Sequence, residues 1–515
     1  MCGILLCSGG FASKSESVLR EYYEAEPMCS FHDDRSIEVM AELVRQRGPN
    51  YCSWRSVEGY DTVWFSSVLS LRQPFTGQSI RIGEDYILQF NGELYNSEII
   101  DNDTQYIVDL FKGNAYNVAE TIRVLDGEFA FTLYDLKKDI VYFGRDVVGK
   151  RSLSYSIDRE SGELVVTSIS GNNPGNRCFF DCVAGVIYVY DKSTKSLDAT
   201  NIILKPFEIT TGTDMEMHNS EFLTKELYSK LSTAVEKRVN TIHPLHMENS
   251  PISVLFSGGL DCSVIVALIC ECLIKRDLGR VTLELLNVAF ENKRTKMQPS
   301  EAPDRQLAIK SAQDLQDKYP SIDIKLVEVD VSYDEYLKHR PLVIDLMYPK
   351  NTEMDLSIAI AFYFASRGHG YIREQQTNKR LQYKRLGLVL FSGLGADELY
   401  GGYYKFNNKT EVELANELSV QINNIYRRNL NRDDKVIASN GVEVRYPFLD
   451  EDVITYSTKY IPINYKRDKF ILRNLASTIL NLQNISIEKK RAIQFGAKSA
   501  KMTKDGNKSG TDLLK

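Results

Sequence analysis

Apolar runs of strand length alternate with segments of helical length through the second half of the chain. In chain order these are ISVLFS, DCSVIVALICECLIK, VTLELLNVAF, DRQLAIKSAQDL and IDIKLVEVD. A buried helix over 357–366 and a strand over 387–392 continue the series. Strands that alternate with helices are typical of a parallel, doubly wound sheet with helices on both faces. The C-terminal half is therefore predicted to be an α/β domain of this kind.

The first 200 residues or so have a different pattern, rich in β-branched and aromatic residues and in short turns. EFAFTLYD, LKKD and IVYFGRD predict a strand, a turn and a second strand, and GVIYVYD at 185–191 predicts a further strand. A helix is expected over 226–239 from the spacing of its apolar residues. The change of pattern predicts two domains, residues 2–208 and 209–515.

Composition and charge exclude several classes of protein. The net charge of −6 over 515 residues is mild and indicates no polyanionic partner. The nine cysteines are scattered and the six histidines form no cluster, so neither a disulfide framework nor a zinc site is indicated. The N-terminus lacks a secretory pattern, and no apolar run approaches the ~20 residues of a membrane span. These observations favour a reduced, cytoplasmic protein without a membrane partner.

The N-terminus, MCGILL, has a cysteine at the second position. If the initiator methionine is removed, Cys2 carries a free α-amine beside its thiol. An α-amine has a pKa of about 7.7–8.0 and a thiol of about 8.5, so one group can serve as the base for the other. N-terminal nucleophile hydrolases use this pairing. A cysteine at this position also occurs by chance, so its catalytic role depends on the segments that follow.

Three segments downstream support that role. RQRGPN (45–50) gives an arginine and a turn, QFNGELYN (89–96) an Asn-Gly turn with an acid, and DNDTQYIVDLF (101–111) an aspartate at a helix start. Together they resemble the class II glutamine amidotransferase domain over residues 2 to about 200. The resemblance implies an N-terminal Ntn-hydrolase domain with an αββα sandwich fold.

The same resemblance implies roles for individual residues. Cys2 would be the nucleophile that attacks the glutamine carboxamide, with Asn91 and the Gly92 backbone as the oxyanion hole. Arg47 would hold the α-carboxylate of glutamine and Asp103 its α-ammonium. The full glutamine-binding set implied is Arg47, Asn91, Gly92, Glu93 and Asp103.

Two positions depart from the pattern of that domain. Asn50 stands where the family has an aspartate after Gly-Pro, and SSVLSLRQ (66–73) lacks the usual HxRLSI pattern. Both departures leave the core residues of the implied site in place.

A glycine-rich loop, VLFSGGLDCSV (254–264), lies between a predicted strand and a predicted helix. Two glycines let the backbone approach a phosphate, and the helix N-terminus supplies hydrogen-bond donors. The loop lacks the GxxxxGK[ST] pattern of a Walker P-loop and instead resembles the SGGxDS pyrophosphate loop of ATP pyrophosphatases. Cys262 stands at the family's serine, and a thiol is the weaker hydrogen-bond donor.

Four further segments resemble the glutamine-hydrolysing asparagine synthetase family: LLNVAF (285–290), SGLGADELYGGY (392–403), VEVRYPFLD (442–450) and DKFILRNLAS (468–477). The closest resemblance is to its branch of asparagine synthetase domain-containing proteins, and it is carried by ASRGHGYIR (365–373), RDDKVIASNGVEVRYPFLDE (432–451) and KKRAIQFGAKSAKM (489–502). The resemblance implies an ATP site made of Phe256, Ser257, Gly258, Gly259, Asp261, Cys262, Ser263, Val288, Ser392, Gly393 and Lys469. It also implies Mg²⁺ bound by Asp261 and Asp397, because carboxylates suit this hard cation.

The family resemblance implies two half-reactions. Glutamine hydrolysis at Cys2 would release ammonia, and ATP with aspartate would form an acyl adenylate that ammonia converts to asparagine. Leu394 stands where the synthetases have a glutamate with a role in this second step. General acid–base help is typically worth 10²–10⁴-fold, and leucine cannot supply it.

Three hypotheses follow from Leu394. The chain is a working glutamine-dependent asparagine synthetase, an amidotransferase for another carboxylate, or a synthetase-like binding protein without the synthesis. Glutamine, aspartate or a related carboxylate, and ATP are the expected partners. The oligomeric state stays open, with a homo-oligomer among the alternatives.

Two basic stretches have no assigned role. IREQQTNKRLQYKR, which spans residues 372–385, is interpreted as a solvated helix face in preference to an RNA contact. KKRAIQFGAKSAK (489–501) either covers the mouth of the active site or is a simple surface segment.

Overall fold

The structure of the protein is a computed structural model. It describes residues 2–9, 18–23, 35–172, 177–202, 207–209, 211, 219–244, 246, 251–276, 281–374, 377–403, 406, 408–502 and 510–514. The chain divides into two compact units. The first comprises Met1–Lys205, Leu342–Asn351 and Tyr426–Glu443, and the second comprises Pro206–Pro341, Thr352–Ile425 and Val444–Lys515. The expected boundary at 208 lies near the end of the first stretch, and no sequence pattern indicated the two later segments of the first unit.

The first unit contains two antiparallel sheets. The strands of one are β1 (Cys2–Ser8), β2 (Val18–Tyr23), β3 (Tyr51–Ser56), β4 (Thr62–Val68), β9 (Ser154–Ile157), β10 (Leu164–Thr167) and β11 (Phe180–Asp181). The strands of the other are β5 (Ile80–Ile82), β6 (Tyr86–Leu94), β7 (Gly127–Asp135), β8 (Ile140–Arg145), β12 (Val186–Asp191) and β13 (Ser196–Asn201). Their orders are β11-β9-β10-β1-β4-β3-β2 and β13-β12-β8-β7-β6-β5.

The two sheets share an apolar core. Ile4 and Trp64 of the seven-stranded sheet belong to one buried cluster with Phe143 of the six-stranded sheet. Because successive strand residues point to opposite faces, Phe131 and Leu133 pack instead in a second cluster under helices α2 (Asp103–Gly113) and α3 (Val118–Arg123). Helix α1 (Arg35–Arg45) packs on β1 and β4. The arrangement confirms the expected αββα sandwich.

The third sheet carries the parallel strands expected for the C-terminal domain. Its strands are β14 (Ile252–Leu255), β15 (Thr282–Phe290), β16 (Asp323–Val331), β17 (His369–Arg373), β18 (Arg380–Lys384), β19 (Val389–Phe391) and β20 (Glu443–Arg445). Their order is β18-β17-β16-β15-β14-β19-β20. Strand β14 is parallel to both β15 and β19, and β15 is parallel to β16. The doubly wound α/β prediction is therefore confirmed.

Further α-helices follow from residue 220 onward in the described chain. They are α4 (Ser220–Asn240), α5 (Leu260–Lys275), α6 (Pro303–Lys318), α7 (Tyr333–Met347), α8 (Glu353–Arg367), α9 (Ala396–Tyr400), α10 (Glu411–Asn423), α11 (Asn431–Ala438), α12 (Glu451–Lys459), α13 (Phe470–Asn474), α14 (Gln483–Ser486) and α15 (Ile493–Gly496). Helix α5 is apolar on nearly every side because most of its residues are buried. Within the described part of the chain, no helix is long and apolar enough to span a membrane.

The basic stretch interpreted as a helix face is an antiparallel β-hairpin, so that interpretation was wrong. Strands β17 and β18 pair with Tyr371 opposite Gln382, and β18 forms the edge of the third sheet. The arginines of the hairpin pair with acids of β16, with Arg373 and Arg380 both contacting Glu328. Leu381 and Tyr383 alternate with polar residues along β18, which is a strand pattern that the charge count obscured.

Candidate active sites

Cys2 begins the first strand of the chain, in the register that pairs it with Val68 of β4. Its backbone nitrogen donates a 2.9 Å hydrogen bond to Oδ1 of Asn91. The next residue must be glycine, because a Cβ on Gly3 would lie 2.4 Å from Val44 and 2.5 Å from the Ser67 hydroxyl. The strand thus fixes the backbone position of Cys2.

Asn91 and Gly92 lie on β6, which pairs with β7. The Nδ2 group of Asn91 is buried and has no hydrogen-bond partner among the described residues. A buried donor without a partner is costly, so such a group is typically satisfied by a ligand or water. A Cβ on Gly92 would lie 2.4 Å from the Glu128 carbonyl oxygen, which explains the glycine. The two predicted oxyanion-hole residues therefore lie beside Cys2 with a donor available.

A pocket opens beside Cys2, and charged side chains of both signs line it. Its walls are Cys2, Val68, Leu69, Ser70, Leu71, Arg72, Phe75, Thr76, Gln78, Phe90, Gly92, Glu93, Asn102, Asp103, Thr104 and Glu443. Arg72 donates to Glu93 at 2.7 Å and lies 4.0 Å from the carboxylate of Asp103. The pocket can therefore meet a carboxylate and an ammonium group at the same time.

Arg47 does not line this pocket, contrary to its expected role as the carboxylate ligand. Its side chain is fully buried, and its guanidinium donates to the Cys2 carbonyl oxygen at 3.1 Å, to Ser152 Oγ at 3.3 Å and to Asp434 at 2.9 Å. Donors that are already directed to buried acceptors leave this arginine no free face for a substrate. The structure instead brings Arg72 to the pocket.

Burial controls the ionisation of the two key groups in this pocket. Desolvation raises the pKa of the Cys2 thiol, and the nearby Asp103 and Glu443 carboxylates add to the rise while the N-terminal amine opposes it. Burial also raises the pKa of Asp103, and Arg72 works against this shift. The thiolate form of Cys2 is therefore unfavourable unless a positive charge lies nearby, and a free α-amine at Cys2 would supply that charge when protonated.

The second candidate site begins where β14 ends and α5 starts. Gly258 has φ of +80°, and a Cβ there would lie 2.6 Å from the Ala308 nitrogen, so the loop requires glycine. The Cys262 thiol donates to the Gly259 carbonyl oxygen at 3.3 Å and lies 3.6 Å from Ser257 Oγ. The thiol thus binds within its own loop, while Ser263 Oγ is buried without a partner among the described residues.

The SGLG loop (residues 392–395) packs directly against the start of helix α5. A Cβ on Gly393 would lie 2.9 Å from Cβ of Asp261, which shows how closely the two loops approach. Gly395 has φ of +105° and begins helix α9. The Leu394 nitrogen donates to Ser392 Oγ at 3.3 Å, and the Leu394 side chain is half-buried. The polar groups of the loop remain in place around an apolar side chain.

Two aspartates of this site share a lysine. Lys469 Nζ lies 2.5 Å from an Asp261 oxygen and 2.6 Å from an Asp397 oxygen. Lys490 also binds Asp397 and lies 3.9 Å from the centre of the Tyr403 ring. Burial opposes the charge on Asp397, but Lys469 and Lys490 outweigh it and lower its pKa. For Asp261 burial prevails over Lys469 and raises the pKa.

The remaining predicted ATP residues lie along the same edge of the third sheet. Val288 is buried near the C-terminal end of β15, and the Phe256 nitrogen donates to the Leu286 carbonyl oxygen of that strand. Ligands of open parallel sheets bind at the C-terminal ends of the strands. The structure therefore brings the predicted ATP residues to the end of the sheet where such ligands bind.

The basic segment 489–501 is anchored at this same edge. The Phe290 nitrogen at the end of β15 donates to the Ala497 carbonyl oxygen at 2.9 Å. Asn292 donates to the Lys498 carbonyl oxygen, and Gly496 packs against the carboxylate of Asp304. These contacts favour the first of the two interpretations, in which the segment borders the site.

Two residues that the structure places at these sites, Arg72 and Lys490, were not predicted from the sequence, whereas Glu398 was expected in the second pocket without a role. Glu398 is buried, accepts a hydrogen bond from Tyr403 at 2.6 Å, and leaves its Oε2 without a partner in the described part of the structure. The arginine that ends SVLSLR was the available signal for Arg72, whereas no local pattern separated Lys490 from its basic neighbours.

Comparisons with known proteins agree with this architecture. Residues 226–416 and 407–509 match the family model for asparagine synthase, and residues 67–171 match the glutamine amidotransferase domain. An asparagine synthetase domain-containing protein of Saccharomyces cerevisiae is 56% identical over all of this chain and 99% of its own length. Human asparagine synthetase domain-containing protein 1 is 26% identical over 99% of this chain and 96% of its own. The glutamine-hydrolysing asparagine synthetase of Rattus norvegicus is 26% identical over 82% of this chain and 74% of its own.

A glutamine amidotransferase domain joined to an asparagine synthase domain defines the class. The chain belongs to the asparagine synthetase family, and its relative in yeast lies in the domain-containing branch that the sequence motifs indicated.

Proposed function

We propose that the protein is a glutamine-dependent amidotransferase that hydrolyses glutamine at Cys2 and uses the ammonia to amidate a carboxylate activated by ATP. Aspartate is the first candidate for that carboxylate, because the family model that matches is asparagine synthase. The observation that carries the proposal is the unpartnered Asn91 Nδ2 beside Cys2 in a pocket lined by Arg72 and Asp103. A cytoplasmic location belongs to the proposal, and imaging of the tagged chain in living cells tests it.

Glutamine hydrolysis follows from the positions of these groups. The Cys2 sulfur attacks the carboxamide carbon, and its proton passes to the α-amine of the same residue once Met1, which lies outside the described residues, is removed. Asn91 Nδ2 and the Gly92 nitrogen hold the oxyanion. Ammonia leaves with that proton, and water then cleaves the thioester to release glutamate.

Arg72 takes the role that the sequence analysis assigned to Arg47. It is the arginine that lines the pocket. Its guanidinium donates to Glu93 and to the Leu94 and Asp101 carbonyl oxygens, so it would exchange the Glu93 contact for the glutamine α-carboxylate. Asp103 and Glu93, which contact Arg72 in the structure, are then available for the α-ammonium. A free α-amino acid satisfies all three charges, so the pocket favours glutamine over a glutamine residue within a peptide.

The second site suits ATP and Mg²⁺. Asp261 and Asp397 already share one cation, the Lys469 ammonium, so their carboxylates are placed to share a divalent cation as well. When bound, Mg²⁺ would neutralise phosphate charge at the pyrophosphate loop. Lys469 and Lys490 would then bind phosphate oxygens in place of aspartate oxygens, and Ser257 with the Gly258 and Gly259 backbone would cradle the pyrophosphate.

Leu394 leaves the second step without the acid that the synthetases have. Glu398 is our candidate to replace it, because its Oε2 has no partner among the described residues and burial raises its pKa. It lies on helix α9, which begins directly after the loop that contains Leu394. The second candidate function is an amidotransferase for a carboxylate other than aspartate, and Asn91 beside Cys2 favours it over a protein that only binds nucleotide.

Purified full-length protein with glutamine and Mg-ATP tests the proposal. We expect glutamate release that is lost in Cys2→Ala, together with pyrophosphate release that requires a carboxylate acceptor. Pyrophosphate that appears with other carboxylates but not with aspartate would replace aspartate as the acceptor. Intact Cys2 with neither glutamate nor pyrophosphate release would overturn the enzyme assignment and leave a binding protein. Mass spectrometry of the intact chain shows whether Met1 has been removed.

A further inference from the structure

Helix α11 is unusual because it is buried over its full length although it carries four consecutive charged residues. Arg432, Asp433, Asp434 and Lys435 are each exposed by 3% or less. Burying charges costs several kcal/mol each unless they are paired. The helix belongs to the segment Tyr426–Glu443, which matches the asparagine synthase family model yet packs within the first unit. We therefore looked for a functional reason for this buried, charged helix in the first unit.

Asp434 is the residue of α11 that connects to the nucleophile. One of its carboxylate oxygens accepts hydrogen bonds from Arg47 at 2.9 Å, from the Ser152 nitrogen at 2.9 Å and from Ser152 Oγ at 2.7 Å. The pKa of Asp434 is lowered because Arg47 and Arg151 outweigh the effect of burial. Arg47 in turn donates its Nε hydrogen to the Cys2 carbonyl oxygen at 3.1 Å. A continuous chain of bonds therefore runs from α11 to Cys2.

The end of the same segment reaches the glutamine pocket. Glu443 lines the pocket together with Cys2, and its charge is among those that raise the thiol pKa. Gly441, with φ of +65°, lies where a Cβ would be 3.1 Å from Pro49 of the turn that follows Arg47. The segment Tyr426–Glu443 thus contacts both the pocket beside Cys2 and the turn that follows Arg47.

We infer that Asp434 is a positioning residue for Cys2, which acts through Arg47, and that the segment Tyr426–Glu443 is a built-in part of the glutaminase site. The inference rests on the proposed glutaminase function. It assigns a role to Arg47 that differs from substrate binding: the arginine holds the nucleophile's backbone, and Asp434 holds the arginine. The glutaminase then depends on residues that follow the matched amidotransferase domain by more than 250 positions (171 to 434).

Asp434→Asn in the full-length protein tests the inference, with Asp433→Asn as its matched control. Asp433 is equally buried on the same helix but pairs with Arg432. We expect Asp434→Asn to lower kcat for glutamate release by about 10–100-fold, since small displacements of catalytic groups cost about this much, with KM for glutamine nearly unchanged. Asp433→Asn should keep kcat within about threefold. Equal losses in both variants would overturn the inference.

A double variant separates positioning from a general loss of structure. If Asp434 acts through Arg47, Asp434→Asn should cost little further activity once Arg47→Gln is present, whereas independent effects would multiply and contradict the inference.

The pH dependence of Cys2 alkylation by iodoacetamide, followed by peptide mass spectrometry, needs no turnover. In Asp434→Asn the charge of Arg47 is no longer balanced by the Asp434 carboxylate, so the apparent pKa of the Cys2 thiol should fall. The pKa should not fall in Asp433→Asn. No shift in Asp434→Asn would count against the inference. Wild-type protein that releases no glutamate would refute the proposed function instead, and the alkylation profile would still test the positioning role.

Discussion

The two candidate sites differ in how each departs from its family pattern. At the Cys2 pocket the expected arginine, Arg47, donates hydrogen bonds to buried partners, and Arg72 lines the pocket instead. At the SGLG loop the expected acid is replaced by Leu394, and the polar residues around it stay in place. In the proposed function, the charge expected at the first site is supplied from a different position, whereas the second site lacks the expected acid at position 394.

The difference follows from what each residue must do. An arginine that holds a carboxylate acts at the end of a long side chain, so several positions around a pocket can supply it. A proton-transfer group must lie within about 3 Å of the reacting atom, which few positions allow. The first departure is therefore easily compensated, and the second is compensated only if a residue such as Glu398 reaches the same atoms.

Loss of the nucleophile gives the largest expected effect. Cys2→Ala should reduce glutamate release to background, since the covalent step has no other nucleophile in the proposal. Cys178→Ala, at an exposed cysteine, should behave as wild type. Glutamate measured by a coupled assay gives the result. Residual hydrolysis by Cys2→Ala near the wild-type rate would place the glutaminase elsewhere and break the comparison at its first site.

Loss of the shared lysine should cost nearly as much at the second site. Lys469→Ala removes the cation that Asp261 and Asp397 share and leaves Lys490 on Asp397 alone, so pyrophosphate release should fall by at least about 100-fold. Lys490→Ala should cost less, because it contacts only one of the two aspartates. Lys459→Ala, at an exposed helix end, is the control. Equal activity in all three variants would show that this cluster does not handle phosphate.

The relocated arginine is tested by its effect on substrate affinity. Arg72→Gln should raise KM for glutamine by about 10–100-fold with a smaller change in kcat, because a charge-assisted hydrogen bond is worth about 1.5–3 kcal/mol. The control, Arg81→Gln, removes a more exposed arginine that pairs with Glu84. An unchanged KM in Arg72→Gln would mean that another group holds the α-carboxylate.

The smallest effect concerns stability and pH. Burial raises the pKa of Asp304 to about 7, against the opposing charges of Arg491 and Lys498. A raised folded-state pKa gives stability that is present below the unfolded pKa of about 4 and is lost as the pH rises through about 7. The free energy of unfolding of the wild type should therefore fall relative to that of Asp304→Asn by about 2.5 kcal/mol between pH 5 and pH 8. Parallel pH profiles of the two proteins would contradict this assignment.

The sequence predicted the fold far better than it predicted the sites. Alternating strands and helices, and the motifs around Cys2 and Asp261, were enough for both folds because they depend on local patterns and backbone shape. The role of Arg47 could not be read locally, since its partner Asp434 lies 387 positions away along the chain. The hairpin β17–β18 was missed because its arginines pair with Glu328 of a distant strand, which no charge count reveals.

The sharpest test of the account measures both sites in one reaction. Wild-type protein and Leu394→Glu are each given glutamine, Mg-ATP and aspartate, and glutamate and pyrophosphate are followed together. We predict that both proteins release glutamate at similar rates, while aspartate-dependent pyrophosphate release rises in Leu394→Glu by about 10-fold or more. Glutamate release that is absent from both proteins, or pyrophosphate release that does not rise in the variant, would contradict an intact glutaminase joined to a synthetase site limited by Leu394.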